Sequence, residues 1–125
     1  MMNPNKVNQD RFLIKEGIRA REKKNVDLYA VADGHGPLGH FVSNTIVENL
    51  GKKLESYLKM GKNVSTSFHK SYSDLQNIFE KNVDFNAEFS GSTLVSIAVE
   101  NKKKITCANV GDSRAIVARQ SILSS

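Results

Sequence analysis

An α+β fold with antiparallel pairing is predicted by three observations. Apolar residues alternate in two runs before residue 33 and in three runs after residue 91, and two segments between them switch to three-and-four spacing. The order is therefore strand, strand, helix, helix, strand, strand, strand. Strands and helices grouped in blocks favour layers with antiparallel sheets over a doubly wound parallel sheet.

The first strand is expected at residues 11–16 (RFLIKE) and the second at 26–32 (VDLYAVA), joined by a charged connection containing Gly17. From Leu38 the period lengthens. Leu38, Phe41, Val42, Ile46, Leu50, Leu54 and Leu58 place one apolar stripe along a helix that runs to about Met60, with Pro37 in its first turn and Gly61 as its stop. Phe68, Tyr72, Leu75, Phe79 and Val83 mark a second helix, with Ser65, Thr66 and Ser67 available as its cap. Three β-rich runs follow, at 92–99, 104–109 and 114–118. No internal repeat or low-complexity segment is present.

A chain of 125 residues suits one domain or part of one. Hydrophobic residues make up 39%, yet no apolar run nears the roughly 18 residues of a membrane span, and no cationic, apolar and small-residue succession opens the chain. Neither membrane association nor a secretory signal is expected. The single cysteine, Cys107, cannot close an internal disulfide, which fits a cytoplasmic or nuclear protein. Its place in a β-rich run predicts a buried strand residue.

The net charge of +5 invites a nucleic-acid reading. The distribution argues against it. Basic clusters at 19–24, 52–53 and 102–104 carry no interleaved aromatic residue, and the first and last sit between strand-like runs. They read as solvated hairpin turns, and no nucleic-acid partner is expected.

Carboxylates occupy a more telling pattern. Asp10 precedes the first strand, Asp33 ends the second in DGHG, and Asp112 falls in NVGDSR at the turn between the last two. Taken singly, each aspartate is as well explained by an Asx turn, and His35 by a solvent-facing turn position. Taken together, short carboxylates at strand ends along one sheet edge repel unless a cation lies between them. Oxygen-only ligation selects hard divalent ions such as Mg²⁺ or Mn²⁺. Gly34 suits such a place, because its carbonyl can turn toward a metal with no side chain in the way.

The stretches VNQDRF, YAVADGHGP, SGSTLV and ANVGDSRAIVA, in this order and with two helices between the second and third, resemble the metal-dependent protein serine/threonine phosphatases of type 2C, the PPM family. The resemblance covers residues 6–119. It implies part of a four-layer α-β-β-α sandwich with antiparallel sheets and, at one edge, a site for two Mn²⁺ or Mg²⁺ ions with a weaker third position. Asp33 resembles the carboxylate that bridges the two ions, and Gly34 the residue whose carbonyl contacts one of them. Asp10 resembles the acidic residue that reaches the centre through water, Asp112 the one linked to the third position, and His35 the general acid. Gln9 stands where many members carry a glutamate. Thr93, with Gly91 and Ser92, matches a GST motif that packs near the metal edge in a structural role.

Family domains run to about 250 residues, so residues 1–125 are expected to be an N-terminal part of the catalytic domain, without the C-terminal half and its DG and DN motifs. Two functional readings follow. One is a protein serine/threonine phosphatase that hydrolyses phosphoserine and phosphothreonine in phosphoprotein substrates through a metal-activated water. The other is a truncated or catalytically dead phosphatase-like module that binds a partner at an exposed sheet edge.

Overall fold

The computed structural model describes residues 8–82 and 90–111. Alternating side chains build β1 (Asp10–Arg19) and β2 (Asn25–His35), which pair antiparallel around a turn at residues 20–24. The three-and-four spacing builds α1 (Gly39–Lys59) and α2 (Val64–Glu80). The chain then returns through the short β3 (Gly91–Ser92) to the hairpin of β4 (Leu94–Glu100) and β5 (Lys104–Val110). The main sheet has the order β1-β2-β4-β5, antiparallel throughout, and β3 adds to the end of β2.

Both helices lie on one face of this sheet. Val42, Ile46, Leu50, Leu54 and Leu58 of α1, with Phe68, Leu75 and Phe79 of α2, pack on Leu28, Ala30, Ala32, Leu94 and Ala98. Gly51 lets α1 approach β1 closely, since a Cβ there would stand 3.1 Å from Lys15 Cδ. Leu50 is fully buried among these residues, so Leu50→Ala is expected to cost about 2–5 kcal/mol in denaturant unfolding. Phe12→Ala, at a side chain 73% exposed, is expected to cost less than about 1 kcal/mol.

The opposite face is apolar and uncovered among the described residues. Register puts Phe12 beside Val31 and Ile14 beside Tyr29, and the exposed apolar residues include Phe12, Ile14, Val31 and Ile105. Cys107 pairs with Ile97 on this same face and is exposed, which corrects the expectation of a buried cysteine. Its neighbours Thr106 and Ala108 alternate toward the helix side and are half-buried.

Other expectations shift in detail. Gly17 belongs to β1, inside a bulge that offsets the register between Lys15 and Ile18. Buried Asp27 holds that bulge: one carboxylate oxygen accepts the Gly17 N–H at 2.8 Å, and the other accepts from Lys102 Nζ at 2.9 Å. Lys102 is thus more than a solvated turn residue. Pro37 lies before α1, not in its first turn, because Leu38 is the N-cap. Asn63, ahead of the serine and threonine cluster, caps α2 by accepting the Thr66 N–H at 2.7 Å. Phe41 stands 39% exposed, off the buried stripe, and meets Phe79 edge to face. Val83 and the strand expected at 114–118 lie outside the described residues.

The hydrogen bond from Lys102, with that from Gly17, holds the Asp27 carboxyl below its ordinary 3.8. A depressed folded-state value means that this stabilisation is complete above about pH 4 and is lost as acid carries the pH down through the folded value. Wild type is therefore expected to exceed Asp27→Asn in stability at neutral pH. In acid titrations followed by circular dichroism, the gap should close below about pH 4.

Candidate metal centre at a sheet edge

The register places Asp10 directly opposite Asp33. Residues facing each other across an antiparallel pair share a sheet face, with Cβ atoms about 4.5–5.5 Å apart. That face is the one turned away from the helices, because the next residue in β2, Ala32, is buried against them. Both aspartates are exposed. The pairing depends on the bulge at Gly17, which sets the register of all of β1 beyond it.

Backbone contacts fix where β2 ends. The Gly34 N–H donates to the Gln9 carbonyl at 3.1 Å, and Gln9 Nε2 donates to the Gly36 carbonyl at 2.7 Å. Ser43 Oγ, from the second turn of α1, donates to the same Gln9 carbonyl at 2.6 Å. Gln9 therefore ties the segment before β1 to DGHG and to the helix that follows. At Gly34 the requirement is close approach: a Cβ there would lie 2.2 Å from the Gly39 carbonyl oxygen. Gly39 answers in kind, with a Cβ that would lie 2.8 Å from Gly34 C.

Thr93 holds Asp33 from the other side. Its N–H donates to the Asp33 carbonyl at 2.9 Å, and its Oγ1 accepts the Asp33 N–H at 3.2 Å. Gly111, with φ near +102°, packs on Thr93, and a Cβ at that position would come within 2.7 Å of Thr93 Cγ2. The end of β5 is thereby drawn to the strand end that carries Asp33. Asp112, the next residue, lies outside the described residues.

His35 is exposed at the last position of β2, and its Nε2 lies 2.9 Å from where a Gly91 Cβ would stand. It borders a cavity of about 320 Å³, shared with Val42, Ile46, Tyr72 and Phe79. Tyr72 hydrogen-bonds Ser96 Oγ at 2.7 Å and donates to the Ala108 carbonyl at 3.0 Å, while burial pushes its hydroxyl up to about 12.

Of the residues singled out in the sequence, Asp10 and Asp33 thus share one face at one end of the sheet beside Gly34, whereas His35 reaches the same end but borders the cavity on the helix side. Among the described residues no three His, Cys, Asp or Glu side chains come together as a metal-binding group. Two facing carboxylates in an oxygen-only setting fit part of a hard-cation site, not a complete one. Gln9, Ser43 and Gly39 escaped notice as positioning residues. The signal available was the pair of glycines five residues apart, Gly34 and Gly39, which flank the turn into α1.

Comparison with known proteins places the chain in a family. The family model for Protein phosphatase 2C matches residues 3–122, and the chain belongs to that family. Probable protein phosphatase 2C 35 of Arabidopsis thaliana is 31% identical over 117 residues, covering 93% of this chain and 32% of the relative. Probable protein phosphatase 2C 28 of the same plant is 35% identical over 97 residues, covering 78% and 27%. Among solved structures, the PPM Ser-Thr phosphatase MsPP from Mycobacterium smegmatis, in complex with cacodylate, superposes with a TM-score of 0.54 at 26% identity, over 83% of this chain and 46% of that one. The S. agalactiae serine/threonine phosphatase shares the fold, with a TM-score of 0.54 at 23% identity over 91% and 46%. The chain spans about a third of those curated relatives and under half of those structures.

Proposed function

We propose that this chain carries one side of the active centre of a metal-dependent protein serine/threonine phosphatase acting on phosphoserine and phosphothreonine in protein substrates. The observation that carries the reading is the register that sets Asp10 opposite Asp33 at the strand end leading into DGHG. Asp33 would hold Mn²⁺ or Mg²⁺ through its carboxylate oxygens and Asp10 would reach the ion through water, with the Gly34 carbonyl as a neutral ligand and Asp112 serving a weaker position. A divalent ion bound there supplies Lewis acidity toward the phosphoryl group and an activated water.

The remaining work falls to the chain itself. Thr93, Gln9 and Gly39 fix the backbone on either side of Asp33, and so the point on the edge from which its side chain leaves. His35 holds a proton for the leaving serine or threonine oxygen, a contribution of typically about 10²–10⁴-fold. No thiol nucleophile is needed. Cys107 sits in mid-strand opposite Ile97, and its exposed free thiol suits a reducing compartment, cytoplasm or nucleus.

The test is phosphate release from a phosphothreonine peptide with Mn²⁺, with a chelator arm. Release that the chelator abolishes supports the reading. A folded chain that binds Mn²⁺ and releases no phosphate favours the second reading, a phosphatase-like binding module, which the incomplete ligand group among the described residues motivates.

A further inference from the structure

At the end of the sheet opposite Asp33, two basic turns far apart in sequence meet. Arg19 ends β1 and the turn after it carries Arg21, Lys23 and Lys24, while the turn between β4 and β5 carries Lys102 and Lys103, and Lys104 opens β5. Because β2 and β4 are neighbours, the two turns lie side by side, joined by a reciprocal pair of bonds. The Asn25 N–H donates to Asn101 Oδ1, and the Asn101 N–H donates to the Asn25 carbonyl, each at 2.8 Å. Arg21 Nε donates to the Lys59 carbonyl at 2.8 Å and ties the cluster to the end of α1, where Lys62 follows. Left-handed backbone at Glu22, Lys23, Asn101 and Lys102 fixes both turn tips.

Two of these cations are held in ion pairs. Lys102 pairs with Asp27, and Lys59 pairs with Glu55. Arg19, Lys23, Lys24, Lys62, Lys103 and Lys104 are exposed and make no ion pair among the described residues. These six cations outnumber Glu16, Glu22 and Glu100, the carboxylates near them that make no ion pair among the described residues, so the pole keeps a net positive charge.

We infer that this basic pole docks an acidic polypeptide segment of a partner protein, independently of the metal edge. Four strands at about 4.8 Å spacing make the pole about 14 Å across, which an extended run of about four to five residues spans. Residues 19–25, 59–64 and 100–105 contain no aromatic side chain on which a base could stack. Glu22 at one tip and Glu100 beside the other interrupt the positive field that a continuous phosphate backbone would track. Apolar exposure at this end, among the described residues, is confined to Met60 and Ile105, too little to anchor the chain on a bilayer. Discrete carboxylates on a peptide are the remaining match. The pole lies about 27 Å from Asp33, eight residues along β2, so a docked segment leaves the metal edge open.

The experiment uses the full 125-residue chain and three fluorescent probes: a Gly/Ser peptide carrying six glutamates, each separated from the next by Gly or Ser, an oligothymidylate, and phosphatidylserine vesicles. Replacing Lys23, Lys24, Lys103 and Lys104 together by Gln is expected to weaken binding of the acidic peptide about tenfold. Each single-turn double variant, Lys23→Gln with Lys24→Gln or Lys103→Gln with Lys104→Gln, should weaken it about threefold, so the test survives failure of the quadruple variant to fold. Lys70→Gln, at an exposed position of α2, should leave it unchanged. Raising salt from about 0.05 M to about 0.5 M should abolish it. Equal binding of an uncharged Gly/Ser peptide, equal affinity of the double variants and Lys70→Gln, or binding of only the oligonucleotide or only the vesicles would overturn the inference.

Discussion

Asp33→Asn is expected to lower Mn²⁺-dependent phosphate release by about 10³-fold or more, because an amide cannot supply the charge with which a carboxylate holds a hard cation. Losses of several kcal/mol convert to that range at about 1.4 kcal/mol per factor of ten. A stability measurement separates loss of the ion from loss of the fold. Excess Mn²⁺, at about a hundred times its dissociation constant, should stabilise the wild-type chain by about 2.7 kcal/mol and leave Asp33→Asn unmoved. Asp10→Asn should behave likewise with a smaller effect, since Asp10 stands opposite Asp33 at the same edge and its proposed contact with the ion is through water. Retained Mn²⁺-dependent turnover in Asp33→Asn would remove Asp33 from the centre.

Gly34→Ala is expected to produce the largest loss of stability of any single methyl group added at this edge. The new Cβ would lie 2.2 Å from the Gly39 carbonyl oxygen and 2.6 Å from its carbonyl carbon, both backbone atoms of the helix start. Relief would require moving α1 away from β2 or breaking the bond from the Gly34 N–H to Gln9. Overpacking of well-packed sites costs about 1–3 kcal/mol, and backbone on both sides places this case at the upper end. Urea unfolding would show it as a lower midpoint at unchanged slope. Gly17→Ala has open space around its Cβ, so its cost comes from the positive φ alone and should be smaller.

Much of this fold was legible because its helices and strands carry different apolar periods. The stripe from Val42 to Leu58 marks the buried face of α1, and alternation in VDLYAVA marks β2. The bulge was not legible: the strand reads as ending at Glu16 with Gly17 in the connection, yet Asp27, a lone charge inside an apolar run, holds Gly17 within the strand. Without that bulge a one-residue slip would turn Asp10 to the helix side. Strand alternation also cannot say which face is covered, and for that reason Cys107 was misplaced.

The candidate site divides in the same way. Asp10, Asp33, Gly34 and His35 stood out because charges and glycines at strand ends are chemically conspicuous, and the family motifs reinforced them. The residues that position them make backbone bonds that leave no mark in composition. Gln9 acts through its carbonyl and amide, and Ser43 through one hydroxyl. The basic pole was hidden for a third reason: its halves lie about 80 residues apart, and only the pairing of β2 with β4 brings them together.

The central claim is that the edge formed by Asp10 and Asp33 is a divalent-cation site. Calorimetric titration of Mn²⁺ into the wild-type chain and into Asp33→Asn, with the fold of each checked by circular dichroism, addresses it most directly. The predicted result is saturable binding by wild type that the folded variant lacks. Equal binding by both chains, or none by a folded wild type, would contradict it.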